Sequence, residues 1–221
     1  MKQVIKTITV VSIFAIAMAY LESAIVVYLR DIYDIKNLLT DLPTKPDNYT
    51  LIEIGRELFT LVMLATVGWI AGQKWADRIG FAAIAFGIWD IFYYLWLAVF
   101  IGWPESLFEW DILFLIPLPW WGPVYSPLLI AVLMIAGGAI AVFKTTKGIA
   151  IKLSVVDWCI FSFSILLALF VFMKDAVYVF PQGTEAVAKV RPANFNLPLY
   201  VIALAGMVFY TFRIFQQSKK N

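Results

Sequence analysis

Long apolar runs alternate with polar segments along the whole of this 221-residue chain. A helix needs about 20 predominantly apolar residues to cross the hydrocarbon core of a bilayer. Six runs meet that requirement, at about residues 7–29, 51–72, 80–102, 124–143, 154–174 and 197–215. The polar connections between them are too short to form a separate domain. The pattern predicts an all-α integral membrane protein, with residues 1–221 forming a single six-helix transmembrane bundle.

Residues 103–123 do not fit this simple scheme. The stretch from Ile112 onward is apolar, but three prolines would break a helix there. We expect a short interfacial or re-entrant segment near residues 104–122, on the outer side of the membrane. The alternative is a seventh span, which would place the lysine-rich loop at residues 144–152 outside.

The composition is typical of a membrane protein, so we expect the lipid bilayer as a partner. Hydrophobic residues make up 62% of the chain, charged residues make up 14%, and the mean hydropathy is +0.85. A soluble domain is nearer half apolar. The first apolar run continues to Leu29, so we expect a retained first span rather than a cleaved signal peptide.

Basic residues gather on one side of the predicted bundle. With an even number of spans, ten of them share that side: Lys2, Lys6, Lys74, Arg78, Lys144, Lys147, Lys152, Arg213, Lys219 and Lys220. The loop at 144–152 has three lysines and no acid, whereas the connection at 103–122 has three acids and no base. Because cytoplasmic loops are enriched in Lys and Arg, we expect both termini in the cytoplasm of a prokaryotic cell, with the bundle in its plasma membrane.

Composition also narrows the chemistry. The chain has no histidine, the usual ligand of haem, copper and zinc, and its single cysteine excludes an internal disulfide or an iron–sulfur site. We therefore expect no cofactor and no metal site, and we interpret Cys159 as a small packing residue. A net charge of +2 is too small to indicate a nucleic-acid partner.

One carboxylate, Asp90, lies near the middle of predicted span three. Charge inside a bilayer is costly, so such a residue indicates a functional site. Tyr93 and Tyr94 follow at i+3 and i+4 and share its helix face, where the three side chains can line a polar pocket. The alternative is a carboxylate that simply hydrogen-bonds to a tyrosine or a neighbouring helix and holds the bundle together.

Span two begins with a polar stripe. Glu53, Arg56, Glu57 and Thr60 follow the spacing i, i+3, i+4, i+7, which puts them on one helix face. Arg56 is therefore placed to bridge the two acids. A helix start with charged side chains reaching the membrane interface is an equally good interpretation, and it suits Glu53 better than Glu57.

Span one carries two further ionisable residues, Glu22 and Arg30. In an antiparallel pair with span two, Glu22 can reach Arg56, or Arg30 can reach Glu57. Such a contact is alternatively a structural ion pair, which adds little net stability, although removing one partner is costly.

Asp111 precedes an apolar run rather than a polar loop, and we interpret it as the cap of a short helix that folds back over the site. In the six-span topology the ionisable residues of spans one and two and Asp111 fall in the outer half, above Asp90. The sequence therefore predicts an outward-facing cavity floored by Asp90. Its candidate binding or relay residues are Asp90, Tyr93, Tyr94, Glu22, Arg30, Glu53, Arg56, Glu57 and Asp111; no catalytic residue can be assigned.

Trp89-Asp90 with Tyr93 resembles the Trp–acid–Tyr pattern of integral-membrane terpenoid cyclases, which use buried carboxylates as proton donors. The likeness covers only these few residues, and no residue role is carried over from it.

Three functions fit these patterns. The leading hypothesis is a non-enzymatic protein that binds or passes a small solute, a proton, a cation or a lipid head group. The second is an accessory subunit of a larger membrane complex or a homo-oligomer, in which Gly137-Gly138 packs against another subunit. The third is a cofactor-free isomerase or cyclase that uses carboxylates as acid and base.

Overall fold

Most of the protein is helical (72%) in the computed structural model, which describes residues 1–192 and 194–218. Lys219 and Lys220, used above for the orientation, lie outside the described residues. Six long helices contain most of the chain: α1 (Lys2–Ile32), α2 (Asn48–Ala71), α3 (Trp75–Ile101), α4 (Tyr125–Thr146), α5 (Val155–Val179) and α7 (Leu197–Gln216). Each is long and apolar enough to cross a membrane. A 3-10 turn (Phe180–Gln182) and a short helix, α6 (Thr184–Ala188), follow α5.

The prediction of six apolar helices is confirmed, and local capping explains where several of them begin and end. Asp47 accepts a hydrogen bond from the Thr50 amide at 2.9 Å and starts α2. Ser154 and Asp157 form the equivalent capping box at the start of α5. Gly102 ends α3 with a left-handed backbone (φ 68°), a conformation that glycine adopts without strain.

Residues 110–123 form an antiparallel hairpin rather than a helix. Strand β1 (Trp110–Phe114) pairs with β2 (Trp120–Pro123), with Asp111 opposite Gly122. The interpretation of Asp111 as the cap of a short helix is therefore wrong, and no seventh spanning helix forms in this part of the described chain.

The bundle has two packed halves that meet where α3 lies against α4. In the first half, α1 and α2 pack on α3 around a core cluster that includes Ala15, Leu64 and Ile84. In the second half, α5 packs on α7 around Phe172 and Tyr200. The hairpin contacts both halves, because Phe114 joins the first core and Trp120 packs against the second.

Glycines let α3 and α4 approach closely. A Cβ on Gly138 would lie 2.4 Å from the carbonyl oxygen of Gly80, and a Cβ on Gly87 would lie 2.5 Å from that of Ala131. Gly137 faces Thr211 of α7. The small residues on α4 are thus used inside the chain, and they give no support to the hypothesis of a subunit interface there.

Large apolar side chains cover the outside of the bundle, among them Ile70, Val99 and Phe163. A soluble protein rarely exposes so much contiguous apolar surface. Together with the six apolar helices, this surface indicates an integral membrane protein. Cys159 lies on the same outer surface, so its interpretation as a packing residue is wrong.

Candidate functional site

A cavity of about 460 Å³ lies at the end of the bundle where the hairpin is found. Three connections meet at this end, at residues 33–47, 102–124 and 180–192. The cavity walls come from α1, α2, α3 and the hairpin, and the first and third connections cover it. All nine side chains proposed from the sequence line this cavity: Glu22, Arg30, Glu53, Arg56, Glu57, Asp90, Tyr93, Tyr94 and Asp111. Their role stays a prediction.

The base of the cavity is polar. The lining residues furthest from the connections are Glu22 on α1, Thr60 on α2, and Trp89 with its neighbour Asp90 on α3. Along α2 the lining runs from Tyr49 to Thr60, which corresponds to about 16 Å of helix. Beneath this base lies the buried apolar core of the first half, so the polar groups do not continue toward the other end of the described bundle.

Arg56 links the two helices that carry most of the charge. Its guanidinium pairs with Glu22 across the α1–α2 contact and with Glu53 one turn earlier on α2. The remaining Glu22 oxygen accepts a hydrogen bond from Thr60. The expected Glu22–Arg56 pair is therefore present, whereas the expected bridge from Arg56 to both Glu53 and Glu57 is wrong.

Glu57 instead contacts the hairpin. Both of its carboxylate oxygens accept the backbone N–H of Leu115, at 2.8 and 3.1 Å. Leu115 follows β1, so this contact fixes the turn of the hairpin against α2. Arg30 does not pair with Glu57, because its guanidinium lies over the Trp103 ring at 4.0 Å.

Asp111 projects from β1 into the cavity and is buried. It accepts a hydrogen bond from the Tyr94 hydroxyl at 2.9 Å. Burial raises the pKa of Asp111 to about 6, and the neighbouring Arg30 and the Tyr94 hydroxyl oppose that rise. The contact joins the hairpin to α3 directly above Asp90.

Asp90 differs from the other acids of the site. Among the described residues, nothing donates a hydrogen bond to its carboxylate and no cation pairs with it. Tyr93 shares its helix face, and the Tyr93 hydroxyl is likewise without a partner in the described part of the chain. The indole N–H of Trp89 is buried and also unpartnered. The base of the cavity therefore holds both an unused acceptor and unused donors.

Two connections lie over the cavity. Arg191 donates to the carbonyl oxygen of Leu42 at 3.0 Å, and its guanidinium lies 5.9 Å from the Trp121 ring centroid. Lys45 pairs with Glu185 of α6 at 3.5 Å, an exposed contact. The covering residues that face the cavity are mainly apolar: Leu38, Leu42, Pro43, Phe180, Val187 and Val190.

Several lining groups were not found from the sequence. Trp89 precedes Asp90 in the sequence but is not among the candidate residues given above, and neither are Trp121 and Arg191. The Leu115 amide carries no side-chain signal at all. Each of these groups reaches the cavity through a contact between elements far apart in the chain, which helix periodicity does not encode.

No family model, curated protein or solved structure shows a significant match to this chain. The site must therefore be interpreted from its own chemistry.

Proposed function

We propose that this protein binds an amphipathic small molecule taken from the membrane, with the polar head at the base of the cavity. The observation that carries the proposal is the combination, in one cavity of about 460 Å³, of a polar base with apolar and aromatic walls. Ligand sites typically place a few convergent polar groups within an apolar lining. The apolar core beneath the base supports binding rather than passage across the bundle.

A route for the apolar part of the ligand lies between α2 and the turn of the hairpin. Ile54 on α2 and four residues of the turn line the cavity on this side: Leu115, Pro117, Leu118 and Pro119. The hydrogen bond from the Leu115 amide to Glu57 joins this turn to α2. A chain of methylene groups passing here would remain in apolar surroundings and continue into the bilayer.

Photo-crosslinking with a long-chain alcohol that carries a diazirine tests this proposal. In lipid nanodiscs, we expect mapped crosslinks on cavity-lining positions of α1, α2 and the hairpin. Val26→Trp fills lining space and should remove these crosslinks, whereas Ile25→Trp, at the neighbouring exposed position outside the lining, should keep them. Crosslinks confined to lipid-facing positions in the unmodified protein would contradict the proposal.

We further propose that the cavity faces the outside of the cell, with both termini in the cytoplasm. The basic residues at the opposite end support this orientation. In a Cys159→Ala background, a membrane-impermeant maleimide added to intact cells should label Thr40→Cys and spare Thr146→Cys. Labelling of the second variant alone would reverse the orientation.

Acid–base catalysis on an apolar substrate is the second candidate function. It is favoured by the unpartnered Asp90 carboxylate beside the ring of Tyr93. Incubation with unsaturated long-chain lipids, followed by mass and double-bond analysis of the recovered lipid, distinguishes the two. Unchanged lipid in the presence of demonstrated binding supports a binding protein.

A further inference from the structure

The lower cavity carries more negative than positive charge. Five carboxylates line it, from Glu22, Glu53, Glu57, Asp90 and Asp111, together with two guanidiniums, from Arg30 and Arg56. Five acids and two arginines give a formal charge of −3. The other two cations of the lining belong to the cover, where Lys45 faces Glu185 and Arg191 donates to backbone carbonyls.

Four of the five carboxylates have partners within the protein. Arg56 forms ion pairs with Glu22 and Glu53. The Leu115 amide donates a hydrogen bond to Glu57, and the Tyr94 hydroxyl donates one to Asp111. Asp90 is the remaining acid, and it also experiences repulsion from Asp111. A carboxylate in apolar surroundings is costly unless a cation or hydrogen-bond donors compensate it.

The surroundings of Asp90 suit an organic cation. The rings of Trp89, Tyr93 and Tyr94 line the same part of the cavity. Aromatic faces attract ammonium groups, more strongly where water is excluded. The indole N–H of Trp89, a residue only 6% exposed, has no partner and offers a donor to a hydroxyl beside the cation.

We propose that the ligand of this cavity is a long-chain amine, with its ammonium group against Asp90 and its alkyl chain along the apolar walls. This inference rests on the proposed function and names the chemical class of its ligand. In this proposal Asp90 is the counter-ion of the ammonium group. The ion pairs of Arg56 with Glu22 and Glu53 then stabilise the cavity wall formed by α1 and α2.

Displacement of the photoreactive alcohol by three probes of equal chain length tests the inference. Dodecylamine, 1-dodecanol and dodecanoate differ only in the head group. We expect dodecylamine to displace the crosslink at about a tenfold lower concentration than dodecanol, and dodecanoate to be the weakest. Asp90→Asn should remove the preference for the amine while dodecanol still competes.

Asp34→Asn is the matched control, because it removes one carboxylate at the same end of the bundle, outside the cavity lining. It should keep the preference for the amine, which separates site binding from general accumulation of a cation at the membrane. Equal displacement by amine and alcohol, or the same preference in Asp90→Asn, would overturn this inference alone. If none of the probes displaces a crosslink in the cavity, the proposed function fails with it.

Discussion

Two acids within apolar helices, Asp157 at the start of α5 and Asp90 in the middle of α3, have opposite surroundings. Asp157 is buried, and its oxygens accept hydrogen bonds from the Ser154 amide and hydroxyl, both at 2.8 Å, and from Arg213 at 2.8 Å. Asp90 has no such partner among the described residues and lines a cavity. The fold supplies partners for the carboxylate of Asp157, whereas among the described residues the carboxylate of Asp90 has none.

The difference teaches how to separate structural from functional acids in a membrane bundle. Depth in the apolar run alone is not sufficient, because Glu22 also lies deep in a long hydrophobic sequence and is paired with Arg56. What separates them is whether the fold itself supplies donors to every carboxylate oxygen. By this measure the Glu22–Arg56–Glu53 cluster resembles Asp157, although it lines the cavity.

The largest effect is expected where a satisfied cluster is broken. Arg56→Met leaves two carboxylates without their cation, and we expect a loss of about 3 kcal/mol in unfolding free energy. Denaturant titration in mixed micelles measures it. Lys45→Met, which removes only an exposed pair, should cost less than about 0.5 kcal/mol. A loss below about 1 kcal/mol for Arg56→Met would place this cluster with Asp90 instead.

A smaller effect is expected at the start of α5. Ser154→Ala removes the hydroxyl that accepts a hydrogen bond from the Asp157 amide at the helix start. This substitution should lower the unfolding free energy by about 1 kcal/mol in the same titration. Because this cap lies at the end of the bundle away from the cavity, displacement by dodecylamine should remain unchanged. A change in displacement would show that the two ends are coupled.

The smallest effect on stability is expected at Asp90. Asp90→Asn breaks no hydrogen bond or ion pair in the described structure, so the unfolding free energy should fall by no more than about 0.5 kcal/mol. Removal of an uncompensated charge from apolar surroundings acts in the opposite direction and favours a rise. The isosteric amide keeps the shape of the side chain and removes its charge. A loss as large as that of Arg56→Met would mean that Asp90 is held by the fold, which would remove the contrast with the paired acids.

The spans were predictable because the length and hydropathy of an apolar run are local properties. The hairpin was not predictable, although it contains aromatic and β-branched residues that favour strands: Trp110, Ile112, Phe114, Trp120 and Trp121. Prolines between these segments indicated a chain reversal but left its secondary structure open. The two strands satisfy each other's backbone groups, a pairing between segments that helix periodicity does not describe.

The site was partly predictable, because the spacing of residues along a helix is also a local property. Helical spacing placed Glu53, Arg56 and Glu57 on one stripe, and depth placed Glu22 and Asp90 near them. The packing of α1 against α2 determines which acids Arg56 contacts. In this packing Arg56 pairs with Glu22 on α1 and not with Glu57. The backbone partner of Glu57 depended on the hairpin.

The close approach of α3 and α4 at Gly80 and Gly138 affects the cavity, although neither glycine lines it. Helix α3 carries Asp90 and Tyr94, and α4 begins directly after the strand pair that holds Asp111. With backbone against backbone at the glycines, α3 has little freedom to slide along α4. The position of Tyr94 relative to Asp111 therefore depends on the glycine contact, several helical turns from the cavity. A methyl group added at Gly80 or Gly138 would change the shape of the cavity without contacting a molecule bound in it.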